Sequence, residues 1–337
     1  MIAIEAAGAI TPVGTNLTDT MVGIYTHVQL FEDLNALDEE GEPLSGMKVR
    51  FLGEPAGPGR LAAMAAAVVD EATLAIEPSV QLPLILCCPE ATAFGEETAE
   101  FPAKLLGEVM AKSIVPIDRE RSRVVARGRA GVLEALGAAL ALLKDPSLPY
   151  CLVGGVDSFV DDARVDALLD ERRIRSVANK DGFVPGEAGV MLLLGNRPSP
   201  RALAHWLAAA AGNEEACRGS DRPITGAGLQ DAMTKALGQA KLGFAGLDCV
   251  AHDFSGEERY FEELLLATSR LAKDKATAAT EVPAFSVGET GAAAGFLAIA
   301  TLAFLHSKGV HGRPSLAVLS CDGPERGAVV LGPAKRA

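Results

Sequence analysis

Aromatic residues are scarce in this chain: they make up 5% of its 337 residues, with one tryptophan and three tyrosines. Since 49% of the residues are hydrophobic, the core has to be built from Ala, Val, Leu and Gly, whose small side chains suit closely stacked helices and sheets. Basic residues are outnumbered too. Thirty-one Lys and Arg face 44 Asp and Glu, for a net charge of -13. That balance argues against nucleic acid and anionic membrane as partners, because both need basic patches. No fully apolar run reaches the ~20 residues of a membrane span. The six cysteines, at 87, 88, 151, 217, 249 and 321, include no C-x-x-C pair. Cys87, Cys88, Cys151 and Cys249 lie in apolar, strand-like runs, where a free thiol behaves as a small hydrophobe. Reduced thiols point to a cytoplasmic setting. The opening MIAIEAAGAITPVG has no basic n-region and an early Glu5, so no signal peptide is expected. Phosphate-loop and nucleophile-elbow motifs are missing, and Gly57-Pro58-Gly59 follows no good strand for a dinucleotide site. His27, His205, His306 and His311 have no metal-ligand spacing with one another, so neither a metal nor a cofactor is expected.

What the chain does have is a helix with almost no polar side. Residues 286–309 read SVGETGAAAGFLAIATLAFLHSKG, and from Phe296 to Leu305 the only polar residue is Thr301. A helix apolar all round must be covered on every side. A similar run, AGVLEALGAALALLK at 130–144, stands against AGFLAIATLAFLHSK at 294–308, and each leads through a Pro-containing link into an apolar strand. The likeness suggests two copies of one unit, although alanine-rich helices also mimic one another by chance.

Around these runs, strand and helix signals alternate, which indicates the α/β class. Strands are expected at 2–10, 83–88, 150–155, 190–194 and 249–251, with a hairpin at 316–331. Helices are expected at 16–28, 60–76, 98–113, 157–169, 229–242 and 257–271. Residues 37–46 read as a polar acidic loop, and 202–211 fits either helix or strand.

Five blocks then occur in order: ITPVG (10–14), GGVDS (154–158), DGFVPGEAG (181–189), AHDFSGEERYFEE (251–263) and GETGAAAG (288–295). Together they resemble the signature blocks of the β-ketoacyl-ACP synthases of the thiolase superfamily, and the resemblance covers nearly the whole chain. It implies a five-layer αβαβα sandwich built from two similar halves, here 1–200 and 201–337. It also implies a dimer.

The resemblance further implies a condensing site: a Cys at the start of the first buried helix and two His in the second half. A helix N-terminus lowers a thiol's pKa, and the His residues assist decarboxylation and polarise the thioester carbonyl. Aligned on Gly154 and Gly155, the nucleophile's column falls on Arg129, with Arg127 the next candidate, and no Cys occurs between residues 89 and 150. The first family His matches His252; the second falls on Glu289, and the Lys before it falls on Ala284. The pantetheine-contacting Thr pair falls on Phe254 and Gly256, and the glycine-rich gate loop becomes LSCDGPERG (319–327). Cys321 in that loop is the one thiol whose column approaches the pocket.

Guanidinium is always protonated and cannot accept an acyl group. A cation at a helix N-terminus needs a nearby anion, and the residue facing it by resemblance is Glu289. An Arg129–Glu289 ion pair filling the site is therefore expected, against the plainer alternative of an exposed Arg129 and a Glu289 that only caps its helix. One function is favoured and two alternatives stay open. The first is a ketosynthase-like protein without condensing activity, acting as a chain-length-factor-like partner of an active ketosynthase or an acyl carrier protein, as a homo- or heterodimer. The second is an acyl-thioester decarboxylase or hydrolase using His252 and Glu289. The third is an atypical 3-oxoacyl-ACP synthase with a displaced nucleophile.

Overall fold

Extended and helical segments alternate along the computed structural model, which describes residues 2–77, 79–94, 100–272 and 278–334. Strand β1 (Ile2–Ile10) leads into helix α1 (Leu17–Tyr25), capped by the Asn16 side chain, which accepts from the Asp19 N–H. A hairpin of β2 (Glu32–Leu37) and β3 (Pro43–Gly46) precedes α2 (Pro58–Ala72) and β4 (Leu84–Cys88). Next come α3 (Phe101–Lys112), β5 (Arg123–Ala126), α4 (Val132–Leu142) and β6 (Tyr150–Ser158). They are followed by α5 (Asp162–Asp170), β7 (Glu187–Gly195), β8 (Ala204–Asn213), α6 (Ala227–Gln239), β9 (Cys249–His252) and α7 (Glu258–Ala272). The last elements are β10 (Ala279–Glu281), the single turn α8 (Ala284–Val287), α9 (Ala294–Ser307), β11 (Ser315–Ser320) and β12 (Glu325–Gly332).

Among the described residues, ten strands share one sheet in the order β10-β9-β11-β12-β8-β1-β7-β6-β4-β5. Its two five-strand halves meet at β8 and β1, which pair only over Ile2–Trp206, Ala3–His205 and Ile4–Ala204. So short a seam leaves both halves free to close over the same helices. One core cluster joins Ile4, Val190 and Leu192 from one half, Ala251, Ala317 and Val329 from the other, and the buried faces of α4 and α9. Side chains alternate across a strand, so the opposite faces need their own cover. Leu84, Leu86 and Met191 pack against α2 and α3, while Val250, Leu316 and Ala328 pack against α6 and α7. The result is the expected helix–sheet–helix–sheet–helix stack, with the sheet continuous through the seam rather than split in two. The only tryptophan, Trp206, sits on that seam between Ile2 and Leu331 and is 7% exposed.

At the centre lies α9, with twelve of its fourteen residues buried. Thr301 satisfies its hydroxyl by donating to the Leu297 carbonyl of its own helix, 2.8 Å away. The helix start is held by close backbone approach: a Cβ on Gly155 of β6 would stand 2.1 Å from the Ala292 carbonyl oxygen. Helix α4 is less enclosed than its apolar sequence suggests, since Leu133, Leu140 and Leu142 are only partly buried. Among the described residues, no helix is long and apolar enough to cross a membrane.

Several boundaries differ from expectation. The expected acidic loop at 37–46 shrinks to the turn at 38–42 of the β2–β3 hairpin, because Leu34 and Leu44 pack on Ile174 and Phe183. Asp157 and Ser158 extend β6 instead of opening a helix, and α5 starts at Asp162 behind the Asp161 cap. Helix α1 ends at Tyr25, three residues early, and His27 beyond it takes a left-handed conformation (φ 55°). The ambiguous run 202–211 is resolved as strand β8. The expected start of α3 at 98 lies outside the described residues.

Substitution at Gly155 therefore tests the central packing. Gly155→Ala is expected to cost about 3 kcal/mol or more, since the clash is with backbone. Gly137→Ala, on the exposed side of α4 with nothing within 4 Å of the new Cβ, is expected to gain roughly 0.5–1 kcal/mol. Urea unfolding of the two variants checks both signs.

Candidate functional site

Arg129 sits in a single 3-10 turn, Gly128–Gly131, immediately ahead of α4. Its side chain is 9% exposed and points away from solvent. Glu289 lies between α8 and α9, where its backbone is fixed by two hydrogen bonds: Glu289 N–H donates to Val184 O (2.8 Å) and Gly186 N–H donates to Glu289 O (3.0 Å). The two motif blocks around 181–189 and 288–295 are thus laced together at the site.

The pair forms. Arg129 Nη1 lies 3.2 Å from Glu289 Oε2. The same oxygen accepts from Ser255 Oγ at 2.5 Å, and Oε1 accepts from the Gly291 N–H at 2.8 Å. Arg129 Nη2 donates to the Asp253 carbonyl at 2.6 Å and stands 3.4 Å from the Asp253 carboxylate. That carboxylate accepts from the Ser320 N–H at 3.0 and 3.2 Å. The guanidinium lies 5.6 Å from the centre of the Tyr260 ring. At an effective dielectric of about 20, such an ion pair contributes roughly 4–5 kcal/mol before desolvation is subtracted.

Electrostatics follow from burial. Burial works against the Arg129 charge, but Glu289 and Asp253 outweigh it and raise the pKa further. Burial pushes the Asp253 carboxyl up to about 6, opposed by Arg129 and the Ser320 N–H. Arg129 is a permanent cation here.

His252 ends β9, is 1% exposed and stacks on Phe254 with ring centres 3.8 Å apart. Burial, helped by the charge of Arg129, pushes its pKa down to about 3, so the imidazole is neutral. Cys321 lines the same cavity as Arg129 and Glu289, but burial and then Glu325 push its thiol up to about 12. Cys87 lies close behind Arg129, with Sγ donating to Gly128 O, and burial raises its pKa well above the ordinary value. Neither thiol is activated as a nucleophile.

The cavity in front of Arg129 has a volume of about 350 Å³. Its walls are mostly charged: Arg127, Arg129, Arg164 and Arg173 against Glu90, Asp157, Glu171, Glu289 and Asp322. Arg173 bridges Glu257 and Asp322, each at 2.7 Å, and Tyr260 Oη donates to Asp322. Arg164 donates to Asp157, whose other oxygen accepts from the Ala292 N–H at 2.8 Å. His252 is not among the lining residues. Of the sequence candidates, Arg129, Glu289 and Cys321 thus share one cavity, and His252 lies behind it. Arg127 also lines the cavity, but its guanidinium is half exposed and paired with Glu134 and Glu325. Glu263, the last residue of the AHDFSGEERYFEE block, forms a fully buried pair with Arg326.

Sequence reasoning missed Asp253, Ser255, Asp157, Arg173 and Asp322. The first three stand inside recognised motif blocks, and a search of those blocks for buried carboxylates was the signal available. Asp322 stands in the aligned gate loop beside Cys321, whereas Arg173 carries no signal, and the two meet only through the fold.

No family model and no curated protein matches the chain. Solved structures do. A chain of the AntDE:AntF complex, a type II polyketide acyl-carrier protein with its ketosynthase bound to the hexaketide, superposes with a TM-score of 0.78 at 14% identity, covering 98% of this chain and 99% of its own. The ishigamide ketosynthase/chain length factor gives 0.75 at 18% identity, with 99% of both chains covered. The ketosynthase ApeO with its chain length factor ApeC, from Xenorhabdus doucetiae, gives 0.72 at 14%, covering 99% and 98%. The chain has the ketosynthase fold. Within that thiolase-like fold, the charged cavity occupies the N-terminal ends of the two central helices, α4 and α9.

Two measurements test the site. Arg129→Ala, which strands Glu289 and Asp253, is expected to cost about 3–5 kcal/mol, while Arg129→Met with Glu289→Gln recovers most of it. For His252, the folded protein refuses a proton that the unfolded chain accepts below about 6.5. Stability is therefore lost as pH falls from about 6.5 towards 3, by about 1.4 kcal/mol per unit. His252→Phe, which keeps the stack on Phe254, should lack that slope in denaturant titrations run across this window.

Proposed function

We propose that this protein is a ketosynthase-like subunit without condensing activity, which partners an active ketosynthase or an acyl carrier protein in fatty-acid- or polyketide-type biosynthesis, as a chain-length factor does. The observation that carries the reading is the buried Arg129 held by Glu289 and Asp253 at the N-terminal end of α4. By resemblance this is the column of the acyl-accepting thiol. A protonated guanidinium cannot attack a thioester. The thiols nearest to it, Cys87 and Cys321, are held neutral by burial. The charged walls of the remaining cavity suit an alkyl chain poorly.

A partner chain has a place to go. Among the described residues, strand β5 is the last strand at its end of the sheet, and one of its edges has no sheet neighbour. Beside it, α4 keeps Leu133, Leu140 and Leu142 partly exposed. An unpaired edge flanked by apolar surface is what a second subunit covers, whether a copy of this chain or an active ketosynthase. The free cysteines fit a cytoplasmic setting. The decarboxylase or hydrolase reading has less support, because His252 is stacked away from the cavity that holds Glu289.

Incubation with acyl-ACP or with a cysteine-directed condensing-enzyme inhibitor such as cerulenin, followed by intact-mass analysis, is expected to leave the protein unmodified. An adduct on any cysteine would return it to the condensing enzymes. Release of CO2 from malonyl-ACP that disappears in His252→Ala would replace the proposal with the decarboxylase. Pull-down with a ketosynthase encoded beside it is expected to recover a stable complex.

A further inference from the structure

A second cluster of chemistry-bearing side chains lies away from the charged cavity, at the far end of the sheet. Cys249 opens β9, and its register partners are Ala279 on β10 and Ser315 on β11. Glu281 is two residues along from Ala279, so alternation returns its side chain to the same face as Cys249. His311 comes from the turn between α9 and β11. One donor atom from each of Cys249, Glu281 and His311 falls within 4.8 Å of the other two.

We propose that Cys249, Glu281 and His311 form a binding site for a divalent cation of the zinc class. Thiolate, imidazole and carboxylate together are the donor set of such an ion, three protein ligands leaving a fourth position for water. With bonds of about 2.0–2.3 Å, the ligand atoms of a tetrahedral site stand roughly 3.3–3.7 Å apart. The observed spacing is within small side-chain rotations of that geometry.

An independent observation points the same way. Buried polar atoms are normally paired, yet orphans concentrate here. Of the eight buried side-chain polar atoms without a hydrogen-bond partner among the described residues, three belong to His306, His311 and Ser315. His311 is 8% exposed and His306 4%, their ring centres lie 6.0 Å apart, and His306 Nδ1 is 3.2 Å from the His311 carbonyl. Burial keeps the Cys249 thiol protonated, with its pKa pushed up to about 12. Binding therefore exchanges the S–H bond for a sulfur–metal bond and releases that proton to solvent. Burial also lowers the His311 pKa, leaving the imidazole neutral and free to ligate.

The role is structural. Strand β10 has three residues, two of them exposed, and among the described residues it pairs with β9 alone. An ion shared by Glu281, Cys249 and His311 ties that strand to its neighbour and to the turn entering β11. Histidine spacing in the sequence gave no hint of this, because the donors arrive from three separate elements.

The test uses the full chain after treatment with a chelator. Titration with Co(II) is expected to saturate at one equivalent with a thiolate-to-cobalt charge-transfer band, which Zn(II) abolishes by displacement. Zn(II) alone should raise the thermal midpoint. His311→Gln and Glu281→Gln are each expected to weaken cobalt binding by at least about tenfold, and Cys249→Ser to remove the band. Absence of the band in the parent protein overturns the site. So does a band unchanged in His311→Gln, or one that survives in Cys249→Ser and therefore comes from another thiol such as the partly exposed Cys217. Should Cys249→Ser fail to fold, His311→Gln and Glu281→Gln carry the decision alone.

Discussion

A helix with no polar side has to be enclosed, and the architecture follows from that constraint. Each turn of α9 presents apolar atoms in every direction, so a single sheet face cannot satisfy it. Two sheet faces can, and they need outer helices of their own to cover their reverse sides. The small residues of α9 and its approach serve this closeness: a Cβ on Gly295 would stand 2.9 Å from the Val132 side chain and 3.0 Å from Leu319. The scarcity of aromatics is the compositional trace of the same demand.

Enclosing α9 also buries its N-terminal end, and there the chain places charge. A buried ion pair is weak ground for stability, because desolvation offsets much of the attraction. Its value lies in exclusion and order. Arg129, Glu289, Asp253 and Ser255 hydrogen-bond one another and the backbone, tying the start of α4 to the loops after β9 and before α9, with Arg129 Nε left buried without a partner. Arg173 with Glu257 and Asp322 does the same one layer nearer the surface. A site wired in this way is held together by its own side chains.

How much of this was legible depended on where each signal resided. Buried β4 and β7, and α9 itself, were readable because their apolar runs carry the pattern locally. Strand β8 was not. Its alanines serve helix and strand alike, and only pairing with β1 and β12 decides between them. The β2–β3 hairpin was hidden because the two leucines that hold it pack on residues more than a hundred positions away. Asp157 looked like a helix start, but its carboxylate is claimed by Arg164 and by the Ala292 N–H, which keeps the strand going. In the site, the Arg129–Glu289 contact was predictable from aligned motifs. Asp253 was overlooked since its part depends on the Ser320 N–H and on which way one loop turns.

The placement of Trp206 has a practical consequence. It is the only indole in the chain and lies where three residues of β1 meet three of β8. Its fluorescence is thus a built-in gauge of whether the two halves are docked. A red shift of its emission marks water reaching that junction, at whatever stage of unfolding or assembly the halves first part.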